Sequence, residues 1–190
     1  NPSYFALYAR RRMDLYGDTE EDFGLVKIKN RENGFTNPNA RYKKKFTMEE
    51  IKNSAMVADP LRLLQICATS DGGAAMIVSS MEYAKRIGKA NAVKVAAVST
   101  VTPSFASAVV EMPDIATDSA AKLGGRLPVN TSGGLACFGE AVPAQAIAQV
   151  CELTWQLRGQ AGERQIANPK VGITANQGLF GHGSSVILKK

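Results

Sequence analysis

The feature that most narrows the fold is an exchange of two periodicities along the second half of the chain. Ala74-Ala75-Met76-Ile77-Val78 is a short apolar run behind Gly72-Gly73, which predicts a buried strand. Ser80 then offers an N-cap for a helix through Ile87, and residues 92–101 return to a β-rich texture. After Pro143, which suits a first helical turn, Ile147, Val150, Cys151, Thr154 and Leu157 recur at helical spacing, with Gly159 as a stop. A strand from Val171 to Ala175, a glycine-rich corner at 178–183 and a closing strand from Ser184 to Leu188 complete the series. Strands that alternate with helices imply an α/β layered fold.

The first half reads differently. Residues 3–16 carry apolar positions at helical spacing and stop at Gly17. Thr19 with Asp22 predicts a capping box for a second helix, whose apolar positions Phe23, Val26 and Ile28 lead toward Gly34. A polar loop follows, and Thr47 with Glu50 repeats the capping pattern. This divides the chain into a loop and helical region over 1–70 and a C-terminal region over 71–190.

Composition excludes several classes. Of the 190 residues, 45% are hydrophobic and 21% charged, as in an ordinary globular chain. No apolar run approaches the roughly 18 residues that a membrane helix needs, and no secretory signal pattern is visible in a sequence that begins at Asn1. Cys67, Cys137 and Cys151 form no CxxC pair, so neither a disulfide framework nor a zinc cage is expected, and a reducing cytoplasm is the simplest setting. The single histidine, His182, rules out sites that need two imidazoles, and no metal is expected. The net charge is +6, with clusters at Arg10-Arg11-Arg12 and Lys43-Lys44-Lys45. They fit either a solvated basic face or attraction of a polyanion such as the phosphates of a CoA thioester. Aromatics do not interleave with them, so nucleic acid is not expected as a partner.

Several motifs resemble, in order and over almost the whole chain, those of the thiolase superfamily. Ser70-Asp71-Gly72-Gly73-Ala74-Ala75 is similar to the (S/N)DGAAA segment, and Asn130-Thr131-Ser132-Gly133-Gly134-Leu135 to the NPSGGL turn. Asn37-Pro38 and Ala58-Asp59-Pro60-Leu61 resemble the sterol-carrier-protein-x branch, and Cys137 to Gln160 resembles the Ltp2-type lipid-transfer-protein-like thiolases of steroid breakdown. The resemblance implies the C-terminal part of a layered αβαβα fold and a carbon–carbon lyase. Such an enzyme cleaves a β-hydroxyacyl-CoA by retro-aldol reaction, releasing propionyl-CoA and a ketosteroid. It implies no cofactor beyond the CoA of the substrate, a DUF35-domain partner subunit and a thiolase-like homodimer, together a heterotetramer. Acyl transfer of the sterol-carrier-protein-x type, or acyl-CoA and lipid binding without catalysis, are the alternatives.

Two departures bear on chemistry. Where thiolases carry GHP after the SGGL turn, this chain has Gly139-Glu140-Ala141, and the stretch before the final glycine loop reads Ala175-Asn176-Gln177 without a thiol. The family also places a catalytic loop between Ala121 and Lys122, where this sequence is continuous. Residues are therefore expected to be missing at that junction.

An ionised glutamate repels a developing oxyanion, so Glu140 disfavours Claisen chemistry. It suits a base that takes a β-hydroxyl proton; capping of the following helix is the competing role. His182 stands between glycines, where it either polarises a thioester carbonyl or serves structure alone. Asn176 offers an amide donor to an oxyanion or forms a turn. The amides of Gly181 and Gly183 could add donors. Tyr42, Ser132 and Gly133 are the expected substrate-binding positions, with a plain surface role open for Tyr42. Cys137 and Trp155 read as packing.

Overall fold

The computed structural model describes residues 2–89, 91–101, 126–142, 144–177 and 182–190. Its elements are α1 (Pro2–Tyr16), α2 (Glu20–Gly34), α3 (Met48–Lys52), β1 (Met56–Ala58), β2 (Leu61–Arg62), α4 (Met81–Arg86), β3 (Lys94–Val101), α5 (Leu135–Phe138), α6 (Ala144–Arg158), β4 (Val171–Ile173), β5 (Asn176–Gln177) and β6 (Gly183–Lys189). Contacts divide the described residues into two compact units. One holds residues 2–70 and 126–140; the other holds the described residues from 71 to 101 and from 141 onward. One boundary between the units falls at 70/71, and 126–140 groups with the first unit. The junction between Ala121 and Lys122 lies outside the described residues, as does Pro143.

In the first unit the helix signals act as expected. Gly17, at φ 74°, closes α1 by donating its N–H to Met13 O. Thr19 N donates to Asp22 Oδ2 at 2.8 Å while Asp22 N donates to Thr19 Oγ1, a complete capping box. Thr47 and Glu50 repeat it on α3.

The buried face of α2 is not its apolar one. It is formed by Gly24, Lys27, Asn30, Arg31, Asn33 and Gly34, whereas Val26 is exposed and Phe23 and Ile28 are half-buried. The reason lies in what covers the helix. Loop backbone lies on this face, and buried carbonyls need donors. Lys27 Nζ donates to Ile66 O at 3.1 Å, and Asn33 Nδ2 donates to Val129 O and Asn130 O.

The second unit is built on a sheet of order β3-β6-β4, with β5 also paired to β6 and every pairing antiparallel. Val150, Leu153 and Leu157 of α6 pack with Val186 and Leu188 of β6 and with Val93. Gly172 permits this approach, because a Cβ there would lie 2.8 Å from Leu153 Cδ2. The strand expected from Val171 breaks after Ile173 and resumes as β5. The expected strand at 74–78 is absent: among the described residues these form no strand pairing, and Ile77 is 98% exposed. An apolar run becomes a strand only where a neighbour takes its backbone hydrogen bonds.

Candidate functional site

The SGGL turn meets the end of α2 at very close range. Gly133, at φ 94°, would place a Cβ 2.6 Å from Cys137 Sγ and 2.7 Å from Gly34 Cα, and a Cβ on Gly34 would lie 2.5 Å from the same sulfur. Only glycine fits at both points. Cys137 is fully enclosed, donates to Asn30 O at 3.4 Å, and has its thiol pKa raised by burial, which agrees with a packing role. Asn37 Nδ2 donates to Ser132 O, and Tyr42 N donates to Cys137 O at 2.9 Å. The Tyr42 ring carries the guanidiniums of Arg31 and Arg41, each 4.9 Å from its centroid. Thus Ser132, Gly133 and Tyr42 belong to one packed corner.

The backbone of this corner leads directly to Glu140. Gly139 takes φ 78° where a Cβ would lie 2.7 Å from Ala68 O. Glu140 N donates to Ala68 O at 2.7 Å and Ser70 N donates to Glu140 O at 2.9 Å, a parallel bridge next to the SDGG segment. The carboxylate accepts the Cys67 thiol on Oε2 at 3.7 Å. Burial, then the charge of Glu140, push the Cys67 pKa up, so the thiol stays protonated as a donor. Among the described residues Oε1 accepts no hydrogen bond. A half-buried carboxylate with one occupied and one open oxygen is arranged to accept a proton. The described hydrogen bond of this side chain is with Cys67.

Cys67 and Lys27 escaped sequence reasoning. Lys27 is buried beside Ile66, and burial, assisted by Arg31, lowers its pKa to about 8. The unfolded lysine keeps its proton to about 10.5 and so binds more protons than the folded one between those values. Stability from this group therefore rises as pH goes from 8 to 10.5. The buried thiols act in the opposite sense, so Lys27→Met is the proper reference. Urea midpoints are expected to favour the wild type over that variant by about 1–2 kcal/mol more at pH 10 than at pH 7.5.

In the second unit, β5 sets Asn176 opposite Ser184 and Gln177 opposite Gly183. Asn176, Gly183 and Ser184 line a cavity of about 160 Å³ with Ser99, Ala175 and Ser185. Gln149 Nε2 of α6 donates to Asn176 Oδ1 at 2.7 Å. His182 is exposed, and Gly181 lies outside the described residues. Among the described residues no cluster of side chains suited to a metal occurs, and no helix is long and apolar enough to cross a membrane.

Residues 111–190 match the family described as thiolase C-terminal domain-like. An acetyl-CoA acetyltransferase of Methanothermobacter thermautotrophicus is 33% identical over 237 aligned positions, which take in 97% of this chain and 62% of that protein. Sterol carrier protein 2 of Rattus norvegicus is 30% identical, over 95% of this chain and 43% of its own length. A steroid side-chain-cleaving aldolase of Thermomonospora curvata is 45% identical over 83 residues, 43% of this chain and 21% of that protein. The chain thus spans about half the length of the whole-chain relatives. Alignments of 237 positions against 190 residues also mean that those relatives carry positions this chain lacks. Among solved structures, an Ltp2–ChsH2(DUF35) aldolase superimposes with a TM-score of 0.78 at 22% identity, covering 98% of this chain and 62% of that one. A monomeric SCP2-thiolase like protein type 1 from Mycobacterium smegmatis gives 0.70 at 15% identity, covering 99% and 51%. Both carry the fold seen here.

Proposed function

We propose that this chain, which belongs to the thiolase superfamily, cleaves a β-hydroxyacyl-CoA by a retro-aldol reaction. The observation that carries this reading is the open carboxylate oxygen of Glu140, where the thiolase pattern has a histidine. Glu140 takes the proton of the β-hydroxyl group. The oxygen's electrons form the ketone, the Cα–Cβ bond breaks, and its electron pair passes to the thioester enolate. A proton returned to the α-carbon yields the acyl-CoA product. A carboxylate is suited to the first step and unsuited to holding the oxyanion of a Claisen condensation. Asn176, Gly183 and His182 of the second unit carry the donors that the motif resemblance implies for a thioester oxygen.

The 45% identity to a steroid side-chain-cleaving aldolase supports a steroidal acyl group, with propionyl-CoA and a ketosteroid as products. Likeness to the DUF35-containing aldolase supports a DUF35-domain partner, and the thiolase-like homodimer and the cytoplasmic setting are carried over from the motif resemblance alone. Acyl transfer is the second reading, favoured by the 33% identity to an acetyl-CoA acetyltransferase over nearly the whole chain.

One assay separates them. The protein, with a DUF35-domain partner, is incubated with a steroidal β-hydroxyacyl-CoA. Propionyl-CoA and ketone are expected without added CoA. Acetyl-CoA released from a 3-ketoacyl-CoA only when free CoA is present would transfer the assignment to acyl transfer. Binding of the thioester without turnover would leave a binding subunit.

A further inference from the structure

We propose that Gln149 is a positioning residue that turns the Asn176 amide so that its NH₂ group meets the carbonyl or enolate oxygen of a thioester. This rests on the reading above, in which Asn176 serves an oxyanion. A side-chain amide has one accepting oxygen and one donating NH₂. Gln149 Nε2 occupies Asn176 Oδ1 at 2.7 Å, so the donating end is left for a ligand. Among the described residues Asn176 Nδ2 makes no hydrogen bond, and Asn176 lines the cavity at β5 and β6.

Both partners are held from behind. Asn176 is in register with Ser184, and Gln149 rides on α6, whose Val150 and Leu157 pack with Leu188 of β6. The cavity, about 160 Å³, has room for the thioester end of a substrate but not for a CoA or a steroid. Its lining residues, Ser99, Ala175, Asn176, Gly183, Ser184 and Ser185, include no carboxylate to oppose a developing negative oxygen. Gln149 touches no substrate and acts only by fixing its neighbour, as groups behind a metal ligand do.

The test inverts the polarity. In Gln149→Glu the position can only accept, so Asn176 must turn its NH₂ toward it and offer Oδ1 to the ligand. We expect kcat for cleavage to fall about 10- to 100-fold with KM within about threefold, the pattern of an interaction made in the transition state. Gln149→Leu, which leaves the amide free to rotate, should fall less. In an Asn176→Ala background, Gln149→Glu should add nothing. Wild-type kcat in Gln149→Glu, or losses that multiply, would overturn the proposal.

A second readout does not depend on turnover. In the free wild-type protein, NMR should show the Gln149 NH₂ protected from hydrogen exchange and the Asn176 NH₂ open. Propionyl-CoA should then shift and protect the Asn176 NH₂. Reversed protection, or no response to propionyl-CoA, sinks the proposal. A responding amide in a protein that cleaves nothing would leave it standing and reject the retro-aldol reading alone.

Discussion

Arg164→Ala is expected to destabilise the second unit by about 3–5 kcal/mol, because it strands a buried carboxylate. Arg164 holds Glu152 through Nε at 3.1 Å to both oxygens and through Nη2 at 2.9 Å. Its Nη1 donates to Ala161 O, and Gln156 Nε2 bridges Glu152 Oε1 and Arg164 O. Both ionic side chains are less than a tenth exposed. The pair ties α6 to the turn at 162–164. Desolvation offsets much of the attraction while the pair is intact, and the cost appears when one member is removed. A double replacement, Glu152→Gln with Arg164→Met, should therefore cost less than Arg164→Ala alone. Trp155, the chain's only tryptophan, lies 5.8 Å from the Arg164 guanidinium and reports urea unfolding of this unit by fluorescence. A loss below about 1 kcal/mol would show that water or rearrangement rescues Glu152.

Glu140→Gln should lower turnover by about 100-fold or more, with stability nearly unchanged. The replacement has the same size and keeps an oxygen that the Cys67 thiol can reach, so the packing of the loop survives. What disappears is the capacity to accept a proton. KM should stay close to the wild-type value if the proton moves only in the transition state. Unchanged steady-state kinetics would return Glu140 to a structural role. The measurement is initial-rate formation of the CoA product, with urea denaturation run on the same samples.

How much of this was legible in the sequence depended on how local each signal is. Thr19, Thr47 and Ser80 cap helices through partners three residues away, so spacing alone reveals them. Strand β6 and helix α6 also follow from pattern, because their apolar faces repeat with a regular period. Where partners are distant, pattern fails. The buried face of α2 is polar because loops from 66 and 129–130 lie on it, and nothing within 20–34 announces that. Residues 74–78 look like a strand yet find no pairing partner among the described residues. Glu140 and Asn176 were legible as departures from a motif. Their side-chain hydrogen-bond partners, Cys67 and Gln149, are 73 and 27 positions away and carry no signature.

The three glycine contacts around the SGGL corner have a consequence for binding entropy. Gly34 and Gly133 clamp Cys137 at one flank of the loop, and Gly139 presses against Ala68 at the other. Between them the peptide of Glu140 has hydrogen bonds on both its N–H and its carbonyl. Restricting a loop residue costs about 1–2 kcal/mol of conformational freedom. Here that restriction is imposed when the chain folds. On the proposed reaction the backbone that carries the base is ordered before a substrate arrives, so association need not supply that part of the ordering.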